Sequence, residues 1–577
     1  MSGPRGVSAA LIVLLLTGAL AGCVDLRPAA TFQDAGAAAD VPPYAAIDES
    51  KLSKPTFGVL PAIDTRITAS IDGISLFAEV YLPDGEGPWP TILHSTPYKH
   101  LDVALALALG NGLVDTYVPR GYAVVLADVR GYGDSEGCVE VWGPNEQQDQ
   151  YDLVEWIAEQ PWSDGKVGMI GASYPGTTPI EAAVMAPPHL VTIVAAAGLT
   201  DPYFDWHFGG VPSGESSPRG SPTAYQAIGA APPIEPTADP LAWARANAAA
   251  GCGTPELVTG AWQQDSVYTE FYEVRNFSAR VKNIQASVLY TQGFTDGNVK
   301  PWQLMHFFNE IDAPKKGFFG QWAHRFPARD DYQTFEIAWF DHWLKGIDTG
   351  VMNGPTAEII TNLDTWRGDS AFPNNDLPRR ALHLDASSMT LSFDAPTSEG
   401  EATYYADRRP YAGLGPTDGV EGALRAATGG GQEELRFVSA PLESDLYMSG
   451  VVHLDLHAVM DAPNAYLFAT LYEIEGNERR SIVYGGLAAA LREGYAEYKP
   501  VPEGEVVPYR LSFQPREYVV EKGVKLELVL RTSSVFGTMT TEAMGPVRVS
   551  VLTGPELGSA LDVPVLPARV DAPLPWE

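Results

Sequence analysis

The chain reads as an α/β protein, an α/β-hydrolase domain with a helical cap inserted and an all-β jelly-roll domain appended. Three observations predict this. Short all-apolar runs alternate with amphipathic helical patterns through residues 59–200 and 281–350, as in a mostly parallel sheet covered on both faces. Residues 201–280 break that rhythm with Pro, Gly, Ala and aromatics. Beyond about residue 370 helical patterns nearly vanish and short alternating runs follow at turn-punctuated spacing, the pattern of a β-sandwich.

Taken in order, residues 1–22 read as a targeting segment. Arg5 supplies a positive start, and Val7 to Leu20 form an apolar stretch too short to span a bilayer. Residues 23–58 are rich in Ala, Pro and Asp without periodicity, as in a flexible tether. Ile67 to Leu82 predict a hairpin around Asp72-Gly73. Thr91 to Ser95, Gly121 to Ala127 and Leu190 to Ala197 predict buried strands, and Gln147 to Glu159 a helix packed on the sheet. In the cap, Pro240 to Ala250 and Pro255 to Phe271 read as helices. The β/α rhythm resumes at Ala286 to Gln292 and at Lys316 to Gly320, and an aromatic helix over Tyr332 to Leu344 ends this part. In the β domain, Val524 to Leu530 alternates Val524, Leu526, Leu528 and Leu530 with Lys525 and Glu527, as on a half-buried strand.

The net charge of −34 over 577 residues argues against nucleic-acid binding. The chain has three cysteines. For an exported chain, Cys138 and Cys252 are candidates for a disulfide, with separate thiols as the alternative. No Cys/His pair has ligand spacing apart from His453 and His457, so neither a metal nor another cofactor is expected.

The chemistry concentrates at Gly171-Ala172-Ser173-Tyr174-Pro175-Gly176. An apolar strand runs into this Gly-x-Ser-x-x-Gly turn and a small-residue helix start follows. That is the shape of a nucleophile elbow, which exposes a serine hydroxyl on a tight strand-to-helix turn. A serine hydroxyl needs a base to take its proton, and the base needs a carboxylate to orient it. Asp296 follows the strand ending at Gln292, and His324 follows the next strand, in the order Ser, Asp, His. His94, in a strand near the site, is the competing base. The Tyr174 N–H and the Tyr98 hydroxyl are candidate oxyanion donors. Tyr203, Phe204 and Trp206 open the cap; they either line an acyl pocket or pack the cap on the sheet.

These residues resemble the cocaine esterase / X-Pro dipeptidyl-peptidase family of α/β-hydrolases, which also holds α-amino-acid ester hydrolases. The resemblance rests on Pro97-Tyr98, Gly121-Tyr122, Asp128 to Gly131 with Ser135 to Gly137, and Trp156 to Gly168. It continues through Gly171 to Tyr174, Pro187 to Leu190, Asp201 to Trp206, Gly293 to Gly297, Gly320 to His324 and Trp339 to Gly346. Ser439 to Leu442 and Glu521 to Gly523 are the best local marks in residues 370–577. The resemblance implies nucleophile Ser173, acid Asp296, base His324 and oxyanion donors Tyr98 and Tyr174. It implies a serine hydrolase. Within that class the leading reading is an acyl esterase acting on small-molecule esters. The alternative is an X-Pro dipeptidyl-peptidase acting on short peptides, for which the cap acids Asp201, Asp205 and Asp239 are candidate partners of the peptide amine; a non-catalytic surface binder is the third reading. Three departures stand out. Pro175 follows Tyr174 where relatives carry bulkier or acidic residues. Gly297, Asn298 and Val299 replace the acidic residues that follow the catalytic Asp in amino-acid ester hydrolases. Val524 to Glu527 replaces a basic run. At the N-terminus, Leu20-Ala21-Gly22-Cys23 resembles a bacterial lipoprotein signal. It implies cleavage before Cys23, lipidation of Cys23, and a membrane-anchored location on the periplasmic or cell-surface face.

Overall fold

The computed structural model describes residues 47–98, 112–213, 218, 220–229, 257, 260, 261, 266–327, 329–406, 434–531 and 547–566. The targeting segment, Cys23, Cys252, Asp239 and the expected cap helix at 240–250 lie outside them.

One sheet organises the first part. Its strands are β1 (Ile63–Thr68), β2 (Ser75–Tyr81), β3 (Trp89–Thr96), β4 (Ala123–Asp128), β5 (Ser163–Ala172) and β6 (Leu190–Ala196). After a two-residue cap hairpin, β7 (His207–Phe208) with β8 (Val211–Pro212), come β9 (Ser287–Gly293), β10 (Lys315–Gly320), β11 (Ala357–Ile360) and β12 (Trp366–Asp369). The spatial order is β1-β2-β4-β3-β5-β6-β9-β10-β11-β12. The hairpin β1–β2, the pair β2–β4 and the far edge β11–β12 are antiparallel. The strands between them run parallel.

The continuous apolar runs follow from this burial on both faces. Leu93, Val125, Met169, Ile193 and Val288 point to one face and join one core cluster. Their neighbours Ile92, Val124, Ile170, Val194 and Leu289 point to the other. Neighbouring strand residues face opposite ways, so a strand covered on both sides has no polar position to alternate with. Of the covering helices, α1 is Leu113–Tyr117 and α2 is Pro144–Ala158. The nucleophile-elbow helix α3 is Tyr174–Met185. The cap contributes α4 (Pro202–Trp206), α5 (Gly220–Gly229) and α6 (Glu270–Glu273). Helix α7 (Tyr332–Lys345) packs Phe335, Trp339 and Phe340 under the second face.

Two expectations need correction. The sheet does not end near residue 350, because β11 and β12 extend it to Asp369. Their buried charges hid them: Glu358 in β11 is held by Arg329 at 2.7 Å, and Arg367 in β12 by Glu517 at 2.6 Å. The expected half-buried strand over Val524 to Leu530 is instead buried throughout Leu526 to Leu530. It runs in the middle of its sheet, between strands Glu434–Ser439 and Tyr466–Glu475. Glu527 is tolerated there because Arg479 and Arg436 reach its two oxygens at 2.5 and 3.3 Å.

The β domain runs from strand Arg379–Asp385 to strand Ala560–Pro564 around its own apolar core. It docks on the cap. Phe208, Val211 and Trp302 pack with Tyr466, Phe468, Ala488 and Leu491 in one buried cluster. Gly209 lets the backbones meet: its φ is +58°, and a Cβ there would stand 1.9 Å from the Gly486 carbonyl oxygen. Ala488 N–H donates to Gly209 O at 2.8 Å across the same contact.

Candidate active site

The site is built at the carboxyl ends of β3, β5, β9 and β10, where parallel sheets place their chemistry. Between β5 and α3, Ser173 adopts φ 66° and ψ −130°. A side-chain-bearing residue held there costs about 1–3 kcal/mol, and such strain persists only where the surroundings impose it. They do so here. A Cβ on Gly171 would meet Pro175 O at 2.1 Å, and one on Gly176 would meet Ala196 O at 2.4 Å. Ser173 N–H donates to Ala196 O at 3.0 Å, and Ser173 O accepts from Gly176 and Thr177 N–H at 2.9 and 3.1 Å.

Helix α3 carries Pro179 in its interior. Its missing N–H would orphan the Pro175 carbonyl four residues back. The Thr178 hydroxyl reaches that carbonyl at 3.2 Å, its one proton shared with Ser95 O at 3.0 Å. The helix start therefore stays intact behind Ser173, and Tyr174 takes the first helical position, where N–H groups lack an intrahelical acceptor.

Asp296 sits in the loop after β9 and is 2 % exposed. Its Oδ1 accepts the N–H groups of Asn298 and Val299, each at 2.9 Å. Its Oδ2 accepts from His324 Nδ1 at 2.8 Å and from Gln292 Nε2 at 3.3 Å. His324 follows β10. With Nδ1 donating to Asp296, the opposite nitrogen Nε2 is the basic one, and it is buried without a hydrogen-bond partner. Burial pulls the imidazole down, but the charge and hydrogen bond of Asp296, joined by the charge of Asp205, outweigh it. The pKa lies above the ordinary 6.5.

His94 is not a rival base. It lies inside β3 with Nδ1 on Ile170 O at 2.9 Å, and burial lowers its pKa, which keeps it neutral. Tyr98 stands just past β3, its N–H on Thr96 Oγ1 at 3.0 Å. Its ring meets the Tyr174 ring edge-on at 6.3 Å. The Tyr98 hydroxyl is hydrogen-bonded to that of Tyr225 on α5, so the cap reaches the expected oxyanion donor.

The three cap aromatics divide. Tyr203 and Trp206 are wholly buried and pack the cap. The Tyr203 hydroxyl donates to Ser266 O at 2.6 Å, and Trp206 lies 5.9 Å from Trp142. Phe204 alone keeps accessible surface, with its ring 5.7 Å from that of His306. Cys138 is disulfide-bonded, and Cys252 lies outside the described residues.

Three features escaped the sequence. Glu146 on α2 accepts the Tyr174 hydroxyl at 2.7 Å; burial drives its carboxyl up to about 8, against the pull of that hydroxyl and of the Trp142 N–H. Arg516 of the β domain donates to Phe294 O at 2.7 Å, two residues before Asp296. Asp205 and Lys300 pair beneath the cap. None carries a local pattern, since each joins segments far apart in the chain. Among the described residues, no group of three or more His, Cys, Asp or Glu is placed to hold a metal ion.

A parallel sheet with a strained serine turn after β5, and a hydrogen-bonded Asp–His pair after β9 and β10, defines an α/β-hydrolase of the serine type. Residues 72–325 match the X-Pro dipeptidyl-peptidase (S15 family), and residues 349–551 match the X-Pro dipeptidyl-peptidase C-terminal non-catalytic domain. The chain belongs to this family of serine hydrolases. It is 25 % identical over 448 residues to a Bacillus anthracis protein provisionally named an Xaa-Pro dipeptidyl-peptidase, covering 74 % of this chain and 71 % of that one. It is 29 % identical over 392 residues to the cocaine esterase of a Rhodococcus strain, covering 60 % and 68 %. In structure it resembles a CocE/NonD family hydrolase of Staphylococcus aureus, with a TM-score of 0.71 at 18 % identity over 88 % of this chain and 94 % of that one.

Proposed function

We propose that the protein is an acyl esterase that works through Ser173, His324 and Asp296. The observation that carries this is the strained Ser173 turn together with a His324 whose Nδ1 is fixed by Asp296 and whose Nε2 is left for the nucleophile. In the first step His324 Nε2 takes the Ser173 proton while Oγ attacks the ester carbonyl. The tetrahedral oxygen is held by the Tyr174 N–H and the Tyr98 hydroxyl. The protonated imidazole then gives its proton to the leaving alkoxide, and an acyl-enzyme remains. Water, deprotonated by the same nitrogen, releases the acid. Asp296 fixes the tautomer and balances the imidazolium.

The second reading is an X-Pro dipeptidyl-peptidase, favoured by the description of the matched family. Turnover of a short-chain nitrophenyl ester against a Xaa-Pro nitroanilide decides between them. The ester is expected to be turned over with the higher kcat/KM, and Ser173→Ala is expected to abolish it. The reverse preference would replace this reading with the peptidase.

Localisation is part of the same proposal. The apolar stretch ending at Leu20-Ala21-Gly22-Cys23 supports export and lipidation at Cys23, which places a soluble catalytic body on a membrane face by a tether. Globomycin-sensitive processing and a mass increase at Cys23 are the expected results; a free thiol at Cys23 in the mature protein would contradict it.

A further inference from the structure

Beside the His324–Asp296 pair lies a second buried pair of opposite charge. Asp205 on α4 is fully buried, and Lys300, four residues past Asp296 on the same loop, is 3 % exposed. The Lys300 N–H donates to Asp205 Oδ1 at 2.9 Å. Its ammonium Nζ donates to the Asp205 main-chain oxygen at 2.7 Å and stands 3.9 Å from Oδ1. The pair adjoins the reacting groups: Lys300 follows Val299, whose N–H donates to Asp296 Oδ1 at 2.9 Å. Trp206, next to Asp205, has its ring 5.9 Å from that of Trp142, which lies 4.9 Å from the Tyr174 ring.

An acyl group with a free amine carries an ammonium close to the scissile carbonyl. Taking that ammonium out of water is expensive unless an uncompensated anion receives it. Asp201 and Asp205 are the buried carboxylates among the described cap residues. Asp201 caps α4, with Oδ1 accepting the Tyr203 N–H at 2.8 Å, and burial pushes its carboxyl up to about 7. Asp205 already faces a cation. An incoming ammonium would find no net negative charge there and would meet the Lys300 ammonium instead.

We propose that Lys300 is a specificity-determining residue: by compensating Asp205 it closes the site to acyl groups that bear a charged amine, so the substrates are esters of carboxylic acids without one. The proposal rests on the reading of Ser173, His324 and Asp296 as the reacting groups, and it names which acyl donors they receive.

The test uses the full-length protein and a matched pair of substrates, alanine methyl ester and N-acetylalanine methyl ester, at a pH where the free amine is charged. The wild-type protein is expected to favour the N-acetyl ester in kcat/KM by at least about tenfold. In Lys300→Met the ratio of amine to N-acetyl ester is expected to rise at least about tenfold, and adding Asp205→Asn to that variant is expected to remove the gain. Wild-type preference for the free amine would overturn the proposal even if the variant did not fold. An unchanged ratio in a folded Lys300→Met would overturn it as well. Ser173→Ala is assayed alongside with the N-acetyl ester. Residual wild-type activity there would overturn the reading of the reacting groups, whereas an inert Ser173→Ala with an inverted ratio would overturn the role of Lys300 alone.

Discussion

Ser173 has a backbone conformation that only glycine adopts without cost, and this separates strain from chemistry at a single residue. Ser173→Gly is expected to raise Tm while abolishing ester turnover, because removing the Cβ at φ 66° relieves about 1–3 kcal/mol of strain. Ser173→Ala is expected to be equally inert with no gain in Tm; equal melting of the two variants would contradict the strain. His324 acts as a base only when neutral. Its pKa lies above 6.5, so kcat/KM is expected to fall with one-proton slope as the pH drops through that raised value. Asp205→Asn removes an anion that holds the imidazolium and is expected to move this acid limb to lower pH, read from the pH profile of a neutral ester. At this scale Ser173, Asp296 and His324 were legible because each follows an apolar strand in a fixed chain order. Tyr225 and Lys300 were not: Lys300 meets Asp205, 95 residues away, and nothing near either residue announces the contact.

At the scale of elements, the elbow is a packing solution. Gly171→Ala would drive a Cβ to within 2.1 Å of backbone at Pro175, and a backbone atom yields little. A loss of about 1–3 kcal/mol or more is expected, measured as a drop in the denaturant midpoint. Beneath the elbow, α2 and α3 bury Glu146 and Glu181 together. Neither Glu181 oxygen has a hydrogen-bond partner, and burial followed by the Glu146 charge raises its carboxyl well above 4.5. Glu146 is raised from 4.5 to about 8. Both groups therefore bind protons more tightly folded than unfolded. The Glu146 contribution is fully present below about 4.5 and is lost as the pH rises through about 8. Glu146→Gln is expected to flatten the decline of Tm over that window, and an unchanged slope would contradict the assignment. The strands covered on both faces were legible as apolar runs. β11 and β12 were not, because Glu358 and Arg367 look like surface residues until Arg329 and Glu517 are seen beside them.

Across the whole molecule, the β domain is part of the catalytic body's support. It covers Phe208 and Val211 of the cap and Trp302 past the Asp296 loop, and its Arg516 holds the carbonyl of Phe294 in the loop that carries Asp296. A buried aromatic or branched side chain is worth about 1.5–3 kcal/mol when removed from water. A chain ending at residue 370 is therefore expected to aggregate, and the intact chain to melt in one transition by calorimetry. Two well-separated transitions would contradict this coupling. The sequence pattern distinguished the two domains, since their hydrophobic periods differ. It could not show how they dock, because the docking residues are single aromatics and glycines such as Gly209, which have no period.

The measurement closest to the central claim is the site of covalent modification by a fluorophosphonate. Intact-mass analysis followed by peptide mapping is expected to find one phosphonyl group, on the peptide containing Gly171 to Gly176 and on Ser173 itself, with no labelling in Ser173→Ala. A phosphonyl group on any other residue, or undiminished labelling of Ser173→Ala, would contradict the assignment of Ser173 as the nucleophile.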